Sequence, residues 1–338
     1  MSKLLLVGPR KNIKNPSKTG GVIVLFEDLL NYCDKNDIKY EVIDTNKANY
    51  SNIVIAFLFI LFFSIVKTLR VSHVSLHGTA NDYIFIAPVI VFFSKLLKKK
   101  VSLRKFAGNF DIIYNDASYI KKRLIEYSLK TSDANFFETK YLIKKFKFKN
   151  KYTYWFPNVR NKTKYRVDEK YERKIIFLGS VSDEKGILEL LEVSNMLDNR
   201  YIIDIYGTID NSMKKVIWED YNVNYKGILE HGNVRKVLSD YNILVLPSYR
   251  EGYPGVIIEA LSVGLPIIAT GLEGIKEMID EDSSVLIDIK NVKQLKEAIE
   301  SFDDTSYVKK SIVALKQFEN FDSDIQTDEF LKKIRIIC

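Results

Sequence analysis

Two glutamates eight positions apart, Glu251 and Glu259, carry the chemistry most readily read from this sequence. They lie in the run YNILVLPSYREGYPGVIIEALSVGLPIIATGLEGIKEMI, from Tyr241 to Ile279. An apolar strand, Ile243 to Leu246, ends at Pro247 and Ser248, and a turn through Glu251, Gly252, Tyr253, Pro254 and Gly255 enters a helix near Val256. In open α/β sheets, ligands bind where the carboxyl end of a strand meets such a loop. Glycines 252 and 255 remove side chains from the turn, so backbone N–H groups can approach an anion, and the helix N-terminus adds partial positive charge. A diphosphate fits that description. Loop and helix together can aim both carboxylates into one cleft, as acceptors for sugar or ribose hydroxyls. A competing reading makes Glu259 a surface helix residue and Glu251 a partner of the helix dipole.

Elements that could hold such a site recur along the chain. Strand-like runs at Leu4 to Val7, Tyr40 to Ile43, His73 to Leu76 and Val101 to Leu103 alternate with helical segments at Val22 to Cys33 and Ile84 to Leu97. The alternation restarts at Lys174 to Gly179, Tyr201 to Tyr206, Ile243 to Leu246 and Ile267 to Ala269. This pattern predicts an α/β chain of two doubly wound, Rossmann-like domains with parallel sheets. At 338 residues the chain exceeds the size of one ordinary core. A proline at 157 and a charged run up to Arg173 place the linker near residues 158 to 172, with a first domain over 1–160 and a second over 170–310. Residues 311–338 read as a last helical segment. Ile53 to Val66, 14 residues broken only by Ser64, is too short to span a bilayer and reads as a buried helix.

Composition narrows the function classes. Hydrophobic residues make up 46% and charged residues 28%, a globular balance. Only Cys33 and Cys338 are present, with His73, His77 and His231, and their spacing suits neither a disulfide framework nor a metal site. Asp280-Glu281-Asp282 reads as a solvated turn, and no metal is expected. The apolar stretch behind Lys3 is too short for a signal-peptide core, so a cytoplasmic location is expected. Residues 1–165 hold 29 basic against 12 acidic side chains, a net +17, whereas the remainder holds 22 against 31, a net −9. A basic half implies an anionic partner. Lys98-Lys99-Lys100 and the run Lys140 to Lys151, interleaved with aromatic residues, lead to an expected docking on the anionic inner face of a membrane. No nucleic-acid-binding motif accompanies the charge, so nucleic acid is not expected as a partner.

The run PSYREGYPGVIIEALSVGLPIIAT, with its Glu-x7-Glu spacing, resembles the signature of retaining family 4 glycosyltransferases of the GT-B fold, two Rossmann-like domains facing a central cleft. IIFLGSVSDEKGILELLE, from Ile175 to Glu192, resembles the first strand and phosphate loop of that family's second domain. YIIDIYGTID and VNYKGILEHGNVRKVLSDYNILVLPS resemble the strands and loops that follow, in the same order. The likeness covers about residues 170 to 290 strongly. It implies transfer of a sugar from a nucleotide-diphosphate donor to a glycan acceptor, with a lipid-linked acceptor expected, in building bacterial surface polysaccharide such as O-antigen or capsule.

By this resemblance Glu259 would bond the ribose hydroxyls and Glu251 the transferred sugar. Backbone N–H groups of the turn Gly252-Tyr253-Pro254-Gly255, in which Pro254 itself has none to give, together with the loop at Gly179 and Ser180, would hold the phosphates. Lys185 would carry positive charge to the leaving diphosphate, in keeping with the charge that develops there. No cofactor is implied, the nucleotide sugar being a substrate. The sequence departs from the family where Ser180 follows Gly179 in place of an arginine, and Arg104 or Lys105 is the suggested replacement. In the first half, Gly20-Gly21 resembles the family's glycine loop. His77, Arg104, Lys105 and Asn109 are candidate cleft residues, although Phe106 stands where many relatives carry a histidine. The last helix would, by resemblance, cross back to the first domain. A nucleotide-sugar epimerase of related fold and a basic nucleic-acid-binding protein are the alternatives. A dinucleotide-dependent oxidoreductase is disfavoured because Gly8-Pro9-Arg10 supplies no Gly-x-Gly-x-x-Gly.

Overall fold

The computed structural model describes residues 3–15, 20–106 and 110–337. It divides into two compact units, one of residues 1–159 with 323–338, the other of residues 160–322.

The first unit is built on β1 (Leu4–Gly8), β2 (Tyr40–Asp44), β3 (His73–Gly78), β4 (Lys100–Lys105), β5 (Ala134–Phe137) and β6 (Thr153–Trp155). Its helices are α1 (Gly21–Lys35), α2 (Ile53–Thr68), α3 (Ala80–Phe85), α4 (Ala87–Leu96), α5 (Phe110–Asp116), α6 (Tyr119–Thr131) and α7 (Lys140–Phe146). All six strands are parallel, in the order β2-β1-β3-β4-β5-β6. A parallel sheet is covered on both faces, which is why β1 and β3 are buried throughout. Alternate residues serve the two layers: Leu5 and Val7 join the cluster with Ile60, Tyr83 and Val91, whereas Leu4 and Leu6 join Phe26, Leu29 and Phe330. Right-handed crossovers put α1 on one face and α2 and α4 together on the other, since β1 to β2 and β2 to β3 move in opposite directions along the sheet.

The second unit carries β7 (Lys174–Leu178), β8 (Ile202–Tyr206), β9 (Asn224–Gly227), β10 (Ile243–Leu246), β11 (Ile267–Thr270) and β12 (Ser284–Ile287). Its helices are α8 (Ile187–Ser194), α9 (Val234–Leu238), α10 (Gly255–Val263), α11 (Glu273–Lys276), α12 (Val292–Glu300) and α13 (Asp304–Phe318). The sheet is again parallel, in the order β12-β11-β10-β7-β8-β9. The last helix, α14 (Ser323–Ile337), belongs to the first unit, where Phe330, Leu331 and Ile334 enter the core layer of α1.

The structure departs from the sequence reading in three places. The helix expected over Ile84 to Leu97 is two helices, with Pro88 in the first turn of α4, where its missing N–H costs nothing. Residues 160–173 do not form a free linker: the division falls between Val159 and Arg160, and the charged run docks on the second unit. The Val167 N–H bonds the Val263 carbonyl, and the Tyr307 hydroxyl donates to the Asp168 carbonyl across 2.6 Å. The apolar segment of α2 is helical but not buried, because Ile53, Val54, Ile55, Leu58, Phe59 and Phe62 are all exposed. Among the described residues, no helix is long and apolar enough to cross a membrane.

Candidate active site in the second unit

The strand order of the second sheet reverses between β10 and β7. From β7 the chain moves toward β8, and from β10 toward β11, so the loops that follow the two neighbouring strands diverge and leave a crevice at their carboxyl ends. The loop after β7 holds Gly179, Ser180 and Lys185; the loop after β10 holds Ser248, Glu251 and Gly252 to Pro254.

These loops are drawn together by local chemistry. A short 3-10 turn, Asp183–Lys185, ends at Gly186 in the left-handed region, with φ of 68°. A Cβ at Gly186 would lie 2.1 Å from the Pro247 carbonyl oxygen, so only glycine lets the Lys185 turn close on the β10 loop. The Tyr249 N–H donates to the Glu184 carbonyl at 2.9 Å, fastening one loop to the other. Lys185 Nζ then reaches Glu251 Oε1 at 2.6 Å, and the Ser248 hydroxyl donates to the same oxygen at 2.9 Å. The Glu251 side chain is 10% exposed and that of Lys185 26%, so the pair sits at the lip of the crevice. The Tyr249 hydroxyl donates to Glu189, and burial together with that bond pushes its phenol pKa up.

Helix α10 begins at Gly255 behind Pro254, which offers no side-chain cap, and its first turn holds no acidic residue. Its N-terminal backbone donors are thus left without the usual side-chain acceptor. Glu259, one turn further, is buried and not on the surface: its Oε1 accepts from Arg160 Nε at 2.8 Å. The Arg160 guanidinium also lies against the helix start, where a Cβ on Gly255 would come within 2.6 Å of Nη2. Arg160 is the first of four alternating basic residues, with Lys162, Lys164 and Arg166, and nothing in the sequence sets it apart from them. Tyr253 turns inward, its ring 6.2 Å from Phe321. Ser180 is exposed beyond the end of β7. Asp280 spends its carboxylate on its own turn, accepting from the Asp282 and Ser283 N–H groups.

The first-unit candidates are distributed differently. Gly20 precedes α1 and Gly21 opens it; a Cβ on either would meet nothing within 4 Å, so the fold itself does not demand glycine there. His77 is fully buried, its Nε2 3.0 Å from the Ser75 hydroxyl and its ring among Phe26, Phe106 and Phe330, and burial holds its pKa well below the ordinary histidine value. Arg104 is buried too, with its guanidinium 3.4 Å from the centre of the Phe156 ring and Nη2 donating to the Pro157 carbonyl. Burial pulls its pKa down to about 9, and that of Lys105, whose ammonium donates to the Phe106 carbonyl, to about 8. Both side chains are buried, with Phe156, Pro157 and Phe106 of their own unit as partners. Asn109 lies outside the described residues.

Residues 160–311 match the family model described as glycosyl transferases group 1. A putative teichuronic acid biosynthesis glycosyltransferase, TuaC of Bacillus subtilis (strain 168), is 31% identical over 132 residues, covering 39% of this chain and 33% of that protein. The N,N'-diacetylbacillosaminyl-diphospho-undecaprenol alpha-1,3-N-acetylgalactosaminyltransferase of Campylobacter jejuni is 28% identical over 154 residues, 44% of this chain and 40% of that one. The chain therefore spans between a third and two fifths of the length of these curated relatives. In three dimensions the crystal structure of Anabaena Alr3699/HepE in complex with UDP and glucose superposes with a TM-score of 0.70 at 11% identity, covering 99% of this chain and all of that one. The chain thus has the GT-B fold of known glycosyltransferases, and its second unit carries the sequence match to the group 1 model, with relatives that include one named for teichuronic acid biosynthesis.

Proposed function

We propose that the chain is a retaining glycosyltransferase that takes a sugar from a nucleotide-diphosphate donor and adds it to a lipid-linked glycan of a bacterial surface polysaccharide. The observation that carries this reading is the Lys185–Glu251 contact of 2.6 Å, set at the strand-order reversal of the second sheet. Together with the uncapped start of α10, it offers a cation and backbone donors for a diphosphate, and a carboxylate for sugar hydroxyls. Glu251 pairs with Lys185. A bound diphosphate would take over the ammonium and release Glu251 toward the sugar. During transfer the bond from the anomeric carbon to the phosphate oxygen breaks and the nucleoside diphosphate leaves. The acceptor hydroxyl bonds the same carbon on the same face, and its proton passes to the departing phosphate oxygen. Lys185 and the helix start stabilise the negative charge that grows on that group, without calling on a metal ion. The open approach at Gly20 and Gly21 suits a substrate brought close to the backbone.

The likeness to the Campylobacter transferase, whose name specifies a diphospho-undecaprenol acceptor, supports the lipid-linked acceptor. A cytoplasmic enzyme working on the inner face of the membrane accords with that acceptor. The test is a panel of UDP- and GDP-linked sugars, read first by thermal shift and then by release of nucleotide in the presence of polyprenyl-diphosphate-linked acceptors. Stabilisation by one nucleotide sugar, with acceptor-dependent turnover, is expected. Failure of every nucleotide sugar to raise the melting temperature would remove the donor assignment.

A further inference from the structure

Helix α2 turns much of its apolar bulk away from the core. Its fully buried residues, at a spacing of four, are Ala56, Ile60, Ser64 and Thr68, of which three are small or hydroxylic, with Phe57 and Phe63 half-buried beside them. The Thr68 hydroxyl folds back onto the Ser64 carbonyl of the same helix. Its outer face runs Ile55, Leu58, Phe59, Phe62 and, at the C-cap, Leu69, which are between 43% and 62% exposed. In water a helix packed on a sheet arranges these classes the other way round. The next long helix of the layer, α4, buries Ile90 and Val91 with Ser94 but leaves Phe92 and Leu96 exposed at 51% and 62%. Both helices lie on one face of the first unit's sheet and pack against each other.

The charge around this face is predominantly basic, with Glu41 beside Lys67 and Asp133 beside Lys95 as the acids set against it. Between Asp44 and Asp111 the sequence holds a single acid, Asp82, and that side chain is buried, capping α3. Arg70 and Lys98 stand exposed where α2 and α4 end, and Lys99 Nζ reaches the Leu69 carbonyl. Along the same amino edge of the sheet, a cavity of about 530 Å³ is lined by Lys95, Lys100, Lys130 and Lys151; Asp133 bridges Lys95 at 2.5 Å and Lys100 at 3.5 Å, and Glu126 meets Lys130 at 3.3 Å. The run Lys140 to Lys151 offers less than its sequence suggests, since Lys145 is held by Asp111 at 3.2 Å and Lys149 by Glu126 at 2.7 Å.

We infer that the outer face of α2 and α4 is a membrane-docking surface, with the large apolar side chains of α2 sunk to the boundary between headgroups and acyl chains, and the basic edge on anionic lipid phosphates. At 16 residues α2 is about 24 Å long, suited to lying in the interface and too short to cross it. The combination of an apolar stripe and a rim on which basic side chains outnumber acids selects an anionic lipid surface over a second copy of the chain, which would set that net-basic rim against its own like charge. This inference deepens the lipid-linked acceptor in the proposed function, and gives the enzyme a means of meeting it without a spanning helix.

Co-sedimentation of the full chain with phosphatidylglycerol-containing vesicles, against pure phosphatidylcholine vesicles, tests it. Binding is expected only with phosphatidylglycerol, and should weaken by at least about tenfold when salt rises from roughly 50 to 500 mM. The exposed pair Leu58→Gln and Phe62→Gln should cut the partition coefficient at least about tenfold, because the apolar contribution goes while the fold keeps its core. The pair Phe92→Gln and Leu96→Gln supplies an independent second variant, with melting temperature as the control for both. Nucleotide binding by thermal shift should be unchanged in either, so loss of vesicle binding alone bears on the docking face, and loss of nucleotide binding alone bears on the donor site. Absence of vesicle binding, or binding that both variants retain, overturns the inference. So does a dimer that dissolves in the Leu58→Gln and Phe62→Gln variant, which would assign the face to a second copy.

Discussion

Arg160 donates through Nε to Glu259 Oε1 across 2.8 Å, joining the first residue of the second unit to the helix that opens beside Lys185 and Glu251. Both side chains are about nine-tenths buried, and removing one member of a buried pair strands the other, at roughly 3 to 5 kcal/mol. Glu259→Ala should therefore lower the urea midpoint as well as activity, and says little about the nucleotide. Glu259→Gln is the informative change. It keeps an acceptor for Arg160, so stability should stay within about 1.5 kcal/mol, while nucleotide affinity falls about tenfold. Unchanged affinity in the Gln variant would leave Glu259 a purely structural partner of Arg160.

Lys185 and Glu251 act on one another before any substrate arrives, so their substitutions should not add. Glu251→Ala is expected to lower transfer at least about tenfold, in line with a lost charged hydrogen bond of roughly 1.5 to 3 kcal/mol. Lys185→Ala should lower kcat more than donor affinity, because charge on the leaving group grows toward the transition state. The double variant should lose less than the two single losses combined, and turnover should survive EDTA. Additive losses, or strict dependence on an added divalent ion, would show that the pair is not the leaving-group device.

Gly186→Ala tests the closure of the two loops. The new methyl would meet the Pro247 carbonyl at 2.1 Å with the backbone held at φ of 68°, so the Lys185 turn must move. A loss of about 1 to 3 kcal/mol in stability and a matching loss of turnover are expected. Retention of full turnover would mean that the turn tolerates displacement.

Acid should loosen the first unit through its buried histidines. His73, 2.9 Å from the Ser102 hydroxyl, is pulled from 6.5 to about 4 by burial, and His77 is also held low. The folded values are depressed, so the neutral rings contribute fully above about pH 6.5 and that contribution is lost as pH falls through about 4. For His73 it amounts to about 3 kcal/mol. Urea melts of wild type and His73→Gln should differ by a constant amount above pH 6.5 and converge below it; parallel behaviour down to pH 4 would contradict this.

The second unit was nearly legible as it stood. β10 matches the expected Ile243 to Leu246 because a buried parallel strand shows as an unbroken apolar run bounded by turn residues. β9, Asn224–Gly227, is an edge strand exposed along most of its length and carries no such run. β5 and β6 are short, and their alternation is hidden by Phe and Tyr on both faces. At the site, Glu251 and Lys185 follow from motif and spacing, whereas the pairing of Glu259 with Arg160, 99 positions away, depends on how residues 160–173 dock. For α2, the apolar run gave the helix, but nothing in the periodicity told the buried side from the open one, since the helix is apolar all round.

The return of α14 to the first unit has a consequence for the order in which the protein is made. Phe330 stacks on Phe156 with ring centres 5.0 Å apart and meets Phe136 at 4.8 Å, filling with Leu331 and Ile334 a layer whose remaining members lie before residue 160. During synthesis that layer is left open for the whole time the ribosome takes to deliver residues 160–322, a stretch that contains its own complete sheet. The later-made unit can close on itself first, and the earlier-made unit must wait for its final helix with Phe136 and Phe156 uncovered, the interval in which a nascent chain is most open to chaperones and to aggregation.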